Sequence, residues 1–319
     1  MLLLNQKDIF QAVELEEVVD AIEESMKFYE SSNFEMPTRM HLDYNDNTLL
    51  LMPCSAKDKV GTKLLTLTPN NKEKDMPVIQ GCFILNDTKT GEILAIIDGS
   101  SLTALRTGAV GAAGIRNITP EDVSSIGVVG AGVQGYHQAL FASEVRDLDS
   151  VYIFDTDPRK MKEFKEKFSN KKDLEITILN SAEDLVHLSD VIITATPSNE
   201  PVLPDDEKKV GKKHFIGIGS YKPEMREFPE AVFSKIDKVF IDTHDAIEET
   251  GDIIYPLEKG WIDKGQIYTL GKLLNGDIEI DLTDTTFFKT VGMALFDLVT
   301  ANLIYEKAEG TDIGTDIEF

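Results

Sequence analysis

The sequence predicts an α/β protein of two domains, one built on a parallel sheet and the other an α+β domain with an antiparallel or mixed sheet. Its 319 residues exceed the roughly 250 that a single hydrophobic core usually spans. Short β-type runs fill residues 36–98, whereas strand and helix patterns alternate after residue 124, which is typical of βαβ units. We therefore expect one domain from residues 1–118 together with 305–319, and a second from residues 119–304.

The elements of the first domain follow from the spacing of its apolar residues. Residues 8–30 carry apolar side chains at helical spacing with acidic residues between them, which predicts one amphipathic helix. Apolar runs separated by Pro53 and by polar turn residues predict strands at residues 48–52, 63–68, 78–85 and 92–97. Residues 101–117 are rich in Ala and Gly, so we expect a helix that packs closely against a neighbouring backbone, since its glycines lower its intrinsic stability.

The second domain is expected to begin with a helix at Thr119-Pro120-Glu121-Asp122, which combines a hydroxyl cap, a first-position proline and acidic residues. The predicted strands are residues 125–129, 151–154, 174–179, 191–194 and 214–218. The predicted helices follow Gly132 and span residues 158–168, 182–187 and 287–305, the last of them long and amphipathic. Residues 242–245 are expected to form a loop between a strand and a helix, with an Asp or Thr cap.

Composition and charge exclude several classes of function. The net charge is −24, and because a phosphate backbone would meet a repulsive field, nucleic acid is excluded as a partner. No apolar run approaches the ~18 residues needed to cross a bilayer, and residues 1–4 are too short for the apolar part of a signal peptide. We therefore expect no membrane association and, from two cysteines without a disulfide pattern, a cytoplasmic location.

Two further site types are excluded by spacing. The five histidines are scattered, without the spacing of metal ligands, so we expect no metal. The Gly-x-Ser-x-Gly motif is absent, which argues against a serine hydrolase.

A glycine-rich motif indicates a dinucleotide site. Gly130-Ala131-Gly132-Val133-Gln134-Gly135 follows an apolar run, precedes a helical pattern, and has Asp155 twenty residues after its last glycine. The glycines permit a tight turn, close approach of the backbone to a pyrophosphate, and helix-to-strand packing. Asp155 can accept hydrogen bonds from both ribose hydroxyls and would repel a 2′-phosphate, so we expect a Rossmann domain that prefers NAD(H) to NADP(H). Thr194-Ala195-Thr196-Pro197, at a second strand end, is a further but equivocal indication.

Three cations stand out in so acidic a chain. Arg39, Lys63 and Arg106 lie in or next to apolar segments of the first domain. For each of them taken alone, a surface salt bridge is the better explanation. Together with a nicotinamide site they indicate a small α-carboxylate substrate, since arginine binds carboxylates bidentately and a desolvated lysine can transfer a proton.

Several sequence blocks resemble the ornithine cyclodeaminase/μ-crystallin family. They include Val60-Gly61-Thr62-Lys63, Leu102-Thr103-Ala104-Leu105-Arg106-Thr107, Gly130-Ala131-Gly132-x-Gln134 and Phe288-Lys289-Thr290-Val291-Gly292-x-Ala294-x-x-Asp297, in the family's order. The resemblance implies a homodimer whose subunits have a substrate-binding and dimerisation domain, completed by the C-terminal end, and an NAD(P)-binding Rossmann domain. The family includes ornithine cyclodeaminases, archaeal-type alanine dehydrogenases and ketimine or cyclic imine reductases.

The resemblance also implies roles for individual residues. Arg39, Lys63 and Arg106 match positions that bind the substrate carboxylate, and Lys63 is the candidate for proton transfer. Thr290-Val291-Gly292 would approach the nicotinamide. The predicted cofactor-binding set is Arg106, Thr107, Gly130, Ala131, Gly132, Val133, Gln134, Asp155, Thr156, Thr194, Ala195, Thr196, Gly217, Ile218, Gly219, Thr290, Val291 and Gly292.

One position departs from the cyclodeaminase pattern. Where the cyclodeaminases and the alanine dehydrogenase carry an aspartate, this chain has Tyr221, and a neutral phenol cannot pair with the distal ammonium of ornithine. Tyr221 is a candidate catalytic residue that would hydrogen-bond the imine or amine, or else pack against the nicotinamide. We therefore predict an NAD(H)-dependent oxidoreductase acting on the C–N bond of a small α-amino or α-imino acid. Ornithine cyclodeaminase and a non-catalytic nucleotide-dependent binding protein remain the alternatives.

Overall fold

A computed structural model of the protein describes residues 1–74 and 76–318, without the side chains of residues 72 and 73. Over these residues the chain forms two eight-stranded sheets. The strands are β1 (Leu2–Leu4), β2 (Phe34–Glu35), β3 (Met40–Tyr44), β4 (Asn47–Ala56), β5 (Lys59–Leu67), β6 (Ile79–Asp87), β7 (Ile93–Asp98), β8 (Ser125–Val129), β9 (Ser150–Phe154), β10 (Glu175–Ile178), β11 (Val191–Thr194), β12 (His214–Gly217), β13 (Ile236–Ile241), β14 (Ile267–Thr269), β15 (Thr285–Lys289) and β16 (Thr315–Asp316).

Helices connect and flank these strands. They are α1 (Gln6–Ala12), α2 (Leu15–Tyr29), α3 (Gly99–Ile118), α4 (Val133–Val145), α5 (Pro158–Ser169), α6 (Ala182–Leu188), α7 (Glu207–Val210), α8 (Glu230–Phe233), α9 (Ala246–Glu249), α10 (Gly251–Lys259), α11 (Leu270–Leu274) and α12 (Ala294–Ala308). Short 3-10 helices span Pro69–Lys74 and Lys264–Gln266. Within residues 1–74 and 76–318, no helix combines the length and the apolarity needed to cross a lipid bilayer.

Contacts between Cα atoms divide the chain into two compact units. Unit 1 comprises Met1–Arg106 and Met293–Phe319, and unit 2 comprises Thr107–Gly292. Each division comes earlier in the chain than the boundaries expected from the sequence, after residues 118 and 304. The first falls within the continuous helix α3, and the second precedes α12 because that whole helix packs against α2 and the strands of unit 1.

Unit 1 is a mixed sheet in the order β16-β1-β7-β6-β5-β4-β2, with β3 paired to β4. Strands β4 to β7 are antiparallel to one another, whereas β1 is parallel to β7. Alternate side chains of a strand point to the same face, and in β5 the buried positions are Gly61, Lys63 and Leu65. The pleat therefore places the cation Lys63 on the buried face, which α12 covers.

Unit 2 is an all-parallel sheet in the order β10-β9-β8-β11-β12-β15-β13-β14. Its central strands are mostly apolar and buried, as in β11, where all residues from Val191 to Thr194 are buried. Such runs are expected for parallel strands that are covered on both faces. Because all strands point the same way, the residues that follow β8, β9, β11, β12 and β15 meet at one edge of the sheet.

Three predicted elements of unit 1 differ in the structure. The first helix is two helices, because Val13 is extended with φ −130° and ψ 146°, and the Glu17 side chain accepts a hydrogen bond from the Glu14 backbone N–H where α2 begins. Pro53 lies within β4, opposite Thr62. The register with β2 and β3 leaves residues 52–54 unpaired on the other side, where a missing N–H is tolerated. As β5 begins at Lys59, Lys63 is at mid-strand and does not open the strand as expected.

Two predictions for unit 2 were also wrong. The segment beginning at Thr119 is a turn, not a helix, because the Thr119 hydroxyl donates to the Ile115 carbonyl (2.8 Å) and the Arg146 guanidinium donates to the carbonyls of both residues, so these groups close α3. Residues 287–289 belong to β15 and not to the last helix. Their pairing with β12 and β13 overrides the apolar spacing, and Gly292, with φ +75°, turns the chain before α12.

Candidate active site

The glycine-rich turn after β8 brings backbone atoms so close together that two of its positions have no room for a Cβ atom. Gly130 has φ +106°, and a Cβ there would lie 2.6 Å from the Ala195 carbonyl oxygen. A Cβ on Gly135 would lie 1.9 Å from the Gly130 carbonyl oxygen. Both positions therefore require glycine. At Gly132, by contrast, a Cβ would meet no described atom within 4 Å beyond its chain neighbours, so the space in front of this residue is open.

This open space lies at the amino end of α4. Gly132 caps the helix, and the N–H groups of a first helical turn lack intrahelical partners and carry partial positive charge, an arrangement that binds pyrophosphate. The Oε1 atom of Gln134 is buried and has no hydrogen-bond partner among the described atoms. A bound dinucleotide would occupy the open space at Gly132 and would contact the N–H groups of the first helical turn and Gln134 Oε1. This turn therefore fits the predicted cofactor.

Asp155 presents a fixed carboxylate to the same region. Its Oδ2 accepts a hydrogen bond from the Ala131 N–H (2.8 Å) and its Oδ1 accepts one from the Asp157 N–H (2.8 Å). Each oxygen keeps further acceptor capacity, which ribose hydroxyls can use. The adjoining cleft, of about 380 Å³, is lined by the predicted cofactor residues Gly130, Gly132, Asp155, Thr156, Ala195 and Thr196, and by Lys160.

The ends of β11 and β12 lie side by side. The Ile218 N–H donates to the Thr194 carbonyl (2.9 Å), and the Ala195 N–H donates to the Val129 carbonyl (2.8 Å). A Cβ on Gly219 would lie 2.2 Å from the Thr196 carbonyl oxygen, so these loops touch through their backbones. Thr194 is fully buried, and its hydroxyl has no hydrogen-bond partner in the part of the chain that the structure describes.

A buried aspartate orders the segment after β15. Asp242 accepts hydrogen bonds from the Thr290 hydroxyl and from the N–H groups of Val291 and Gly292, the last at 2.7 Å. The loop at residues 242–245 connects a strand to a helix, as predicted, and Asp245 occupies the N-cap of α9 without a side-chain cap hydrogen bond, whereas Asp242 contacts the predicted nicotinamide segment. Sequence reasoning missed this role because Asp242 and Thr290 are 48 residues apart.

Unit 1 contains a buried cluster of two cations and one carboxylate. The Lys63 side chain is 2% exposed, and its Nζ lies 2.7 Å from Oδ2 of Asp297, which is 0% exposed. The Nε of Arg106, from α3, lies 3.1 Å from the other oxygen of Asp297. A bond through Nε fixes the plane of the guanidinium without using its terminal amino groups, and those are the groups that can take a substrate carboxylate bidentately.

Burial and charge set the protonation of this cluster. Burial lowers the pKa of Lys63 to about 8, with Arg106 and Arg39 acting in the same direction and Asp297 opposing the shift. A lysine with such a pKa exchanges its proton close to neutral pH, which an exposed lysine does not do. Burial, with Asp297 as a second cause, raises the pKa of Cys54 to about 12, so this neighbour stays a neutral thiol.

The structure thus brings Lys63 and Arg106 together, with Arg39 near enough to influence Lys63 electrostatically. Asp297 stands in the sequence blocks quoted above but was not assigned to the site. The sequence did contain an indication of its role, because two cations predicted in apolar segments need a buried counterion. Tyr221 lies in unit 2 and is 45% exposed, and its catalytic role stays a prediction.

Two other predicted cofactor residues, Thr107 and Val133, differ in their exposure. Thr107 is buried, and its carbonyl accepts a hydrogen bond from Gln138 Nε2 (2.7 Å). Val133, in contrast, is 66% exposed at the start of α4. Among residues 1–74 and 76–318, no three His, Cys, Asp or Glu side chains are grouped as metal ligands would be.

Residues 1–312 match the ornithine cyclodeaminase/mu-crystallin family. The chain is 30% identical to a Δ1-pyrroline-2-carboxylate reductase of Bacillus cereus over 330 positions, covering 100% of both chains. The structure of the Thermococcus litoralis Δ1-pyrroline-2-carboxylate reductase in complex with NADH and L-proline is similar, with a TM-score of 0.91, 31% identity and coverage of 99% of this chain and 100% of that one. An archaeal alanine dehydrogenase dimer with bound NAD gives a TM-score of 0.91 at 27% identity, with coverage of 100% and 99%. The predicted α/β fold class is thereby confirmed.

Proposed function

The chain belongs to the ornithine cyclodeaminase/mu-crystallin family, and from that premise we propose that it reduces Δ1-pyrroline-2-carboxylate to proline with NADH. The predicted class, an NAD-dependent oxidoreductase acting at the C–N bond of a small α-amino or α-imino acid, is confirmed by full-length similarity to reductases and an alanine dehydrogenase. The observation that carries the finer proposal is the buried group Lys63, Asp297 and Arg106. It combines a proton donor with a carboxylate binder, which an imino acid requires.

The residues of unit 1 act on the two ends of the substrate. Arg106, with Arg39, binds the α-carboxylate, while Lys63 Nζ donates a proton to the imine nitrogen as the C=N double bond becomes a single bond. When bound, NADH supplies the hydride for the α-carbon, so that the imine gains one hydride and one proton. Lys63 then regains a proton from solvent, and Asp297 favours this ammonium form because it raises the pKa of the lysine.

The residues of unit 2 would hold the cofactor. The first turn of α4 would bind the pyrophosphate, Asp155 the adenosine ribose, and the loops after β11, β12 and β15 the nicotinamide half. We propose NAD(H) over NADP(H) because Asp155 is held in place by two backbone N–H groups and its charge repels a 2′-phosphate. We also propose a cytoplasmic location, since Cys54 and Cys82 are both free thiols.

The test is the oxidation of NADH with Δ1-pyrroline-2-carboxylate, Δ1-piperideine-2-carboxylate, or pyruvate plus ammonia. We expect turnover with the five-membered imine and formation of one proline per NADH. A preference for pyruvate plus ammonia would make the protein an alanine dehydrogenase. Measurable NADH binding without turnover of any of these compounds would contradict the proposal and favour the binding-protein alternative.

The cyclodeaminase alternative is separated by one further assay. Release of ammonia from ornithine in the presence of NAD, with no net change in NADH absorbance, would support it. We expect no such release, because Tyr221 is exposed and supplies no carboxylate for the distal ammonium of ornithine.

The Asp155→Ser variant is expected to change cofactor preference. The variant loses the acceptor for the ribose hydroxyls and the charge that repels a 2′-phosphate, while Lys160 in the same cleft remains to attract that phosphate. The ratio of kcat/KM for NADH to that for NADPH is expected to fall by about 100-fold, the value of two or so charge-assisted hydrogen bonds. Asp157→Ser, which keeps a residue suited to cap α5, is the matched control and leaves the ratio unchanged. An unchanged ratio in Asp155→Ser would refute the assignment.

We propose that the protein is a homodimer that uses the face of β3. Met40, Leu42 and Tyr44 are alternate residues of this strand, so they share one face, and they are 58%, 61% and 40% exposed. Such an apolar stripe is typical of a contact surface. We expect the Met40→Glu, Leu42→Glu double variant to sediment as a monomer while the unchanged protein and a Lys89→Glu control sediment as dimers. A variant that remains dimeric would place the interface elsewhere.

A further inference from the structure

Buried charged side chains lie at the carboxyl ends of three neighbouring strands of unit 2. Glu227, Asp252 and Lys289 are each 0% exposed. Glu227 contacts the loops after β11 and β12, and Lys289 is the last residue of β15. These strands are adjacent in the sheet, at the edge where a doubly wound α/β sheet binds its ligand. Sequence reasoning assigned none of the three residues to the site.

Glu227 joins two loops through both of its carboxylate oxygens. Its Oε1 accepts hydrogen bonds from the N–H and the hydroxyl of Thr196, at 2.7 and 2.8 Å. Its Oε2 accepts hydrogen bonds from the N–H groups of Gly219 and Ser220, at 2.8 and 3.2 Å. Four donors directed at two oxygens are fully satisfied only by an ionised carboxylate. Burial, with the Asp252 carboxylate as a further cause, raises the pKa of Glu227, while Lys289 and the two hydrogen bonds from Thr196 act in the opposite direction.

The loops after β11 and β12 approach each other so closely that Gly219 has no room for a Cβ atom. A Cβ on Gly219 would lie 2.2 Å from the Thr196 carbonyl oxygen and 2.6 Å from Glu227 Oε1. No larger residue fits there without moving the loops apart. The carboxylate of Glu227 therefore sets the separation of Thr196 and Gly219, both of which we assign to the cofactor.

Asp252 and Lys289 position and balance this carboxylate. Oδ1 of Asp252 accepts hydrogen bonds from the backbone N–H groups of Glu227 (2.7 Å) and Phe228 (3.2 Å). Its Oδ2 lies 3.2 Å from Lys289 Nζ, at ion-pair distance but outside hydrogen-bond geometry. A buried pair of carboxylates needs such a cation, and this one immediately precedes Thr290, the start of the third cofactor segment.

We propose that Glu227 is a positioning residue that orients the nicotinamide half of the cofactor by holding the loops after β11 and β12 at their observed separation. The inference rests on the proposed function, because it takes the cleft of unit 2 to hold a dinucleotide. Glu227 contacts Thr196 and Gly219, which we assign to the nicotinamide half, and its hydrogen bonds do not involve Gly132 or Asp155, which we assign to the pyrophosphate and the adenosine ribose. Its loss therefore affects the reactive end of the cofactor selectively.

The Glu227→Gln variant tests the proposal. Its amide keeps the acceptor for Thr196 but turns an N–H₂ donor toward the N–H groups of Gly219 and Ser220, which pushes these loops apart. We expect NADH to bind about tenfold more weakly, the loss of roughly one hydrogen bond to a charged group, while ADP-ribose, which lacks the nicotinamide, binds unchanged. We expect kcat for imine reduction to fall by about 10- to 100-fold, as for a small misplacement of reacting groups, with a larger primary deuterium isotope effect from NADH labelled at the transferred position.

The same measurements of NADH and ADP-ribose affinity, kcat and the isotope effect are made on a control variant. Glu224→Gln, an exposed substitution in the same loop, should change none of them. If Glu227→Gln weakens NADH and ADP-ribose equally, or lowers only the melting temperature while kcat and the isotope effect per folded molecule stay the same, the proposal is overturned. The binding arms need no turnover, so they decide the role of Glu227 even if no imine is reduced.

A second variant covers the case in which Glu227→Gln does not fold. Thr196→Val removes one of the four hydrogen bonds, the 2.8 Å contact to Oε1, and leaves the carboxylate in place. We expect the same selective loss of NADH affinity, smaller in size, and its recovery in Thr196→Ser, which keeps the hydroxyl. Equal affinities in Thr196→Val and the unchanged protein would also overturn the proposal.

Discussion

Replacement of Lys63 by Met is expected to lower kcat/KM for imine reduction by about a thousandfold, within the range measured for removal of a general acid. Methionine fills a similar volume but carries no proton for the imine nitrogen. Asp297 keeps its contact with Arg106 in the variant, so the cluster does not contain an uncompensated charge. Steady-state rates of NADH oxidation with Δ1-pyrroline-2-carboxylate measure the effect.

Two observations distinguish lost proton transfer from lost structure. NADH affinity should be unchanged in Lys63→Met, since the cofactor residues that line the cleft lie in unit 2. Lys59→Met, in the same strand but paired with the exposed Asp58, should retain the normal rate. A rate in Lys63→Met within a few-fold of the unchanged protein would remove Lys63 from the proposed mechanism.

Replacement of Asp297 by Asn is expected to destabilise the protein by about 3–5 kcal/mol, the usual cost of leaving a buried charge without its partner. Asparagine offers one oxygen where the carboxylate offers two. Either Lys63 or Arg106 then faces an amide N–H₂ group, although both cations remain buried. Urea unfolding monitored by circular dichroism measures the loss, and Glu306→Gln, an exposed substitution in the same helix, should cost less than about 0.5 kcal/mol.

We also expect the pH profile of kcat/KM to shift in the Asp297→Asn variant. Imine reduction needs Lys63 as an ammonium, so kcat/KM falls as the pH rises through the pKa of Lys63, about 8. Asp297 raises that pKa, and its removal lowers it. The alkaline fall of kcat/KM in Asp297→Asn should therefore begin at a lower pH. Because the titration of the substrate is the same for both enzymes, an identical alkaline limb would contradict the role of Asp297.

The glycine-rich turn at residues 130–135 shows how much of a candidate site can be predicted from sequence. Gly130 and Gly135 are required by a backbone that turns within six residues, Gly132 faces open space, and Asp155 follows at the end of the next strand. Short-range spacing therefore predicted this part of the site, because the steric demands of a tight turn act between neighbours. The wrong predictions at Thr119 and at residues 287–289 have the opposite cause. There, a local pattern was overridden by hydrogen bonds from Arg146 and by pairing with distant strands.

The sequence by itself determined the fold class, the family and the glycine-rich turn, and it indicated Lys63 and Arg106 as candidate site residues, because periodicity, glycine spacing and unusual charges are properties of short segments. Only the tertiary structure decided which buried carboxylates contact the predicted site residues. Asp297 meets Lys63 across 234 residues, Asp242 meets Thr290 across 48, and Glu227 meets Thr196 across 31. The physical reason is that a buried charge is stable only beside a partner, and strand order and helix packing place that partner in space without any fixed spacing along the chain.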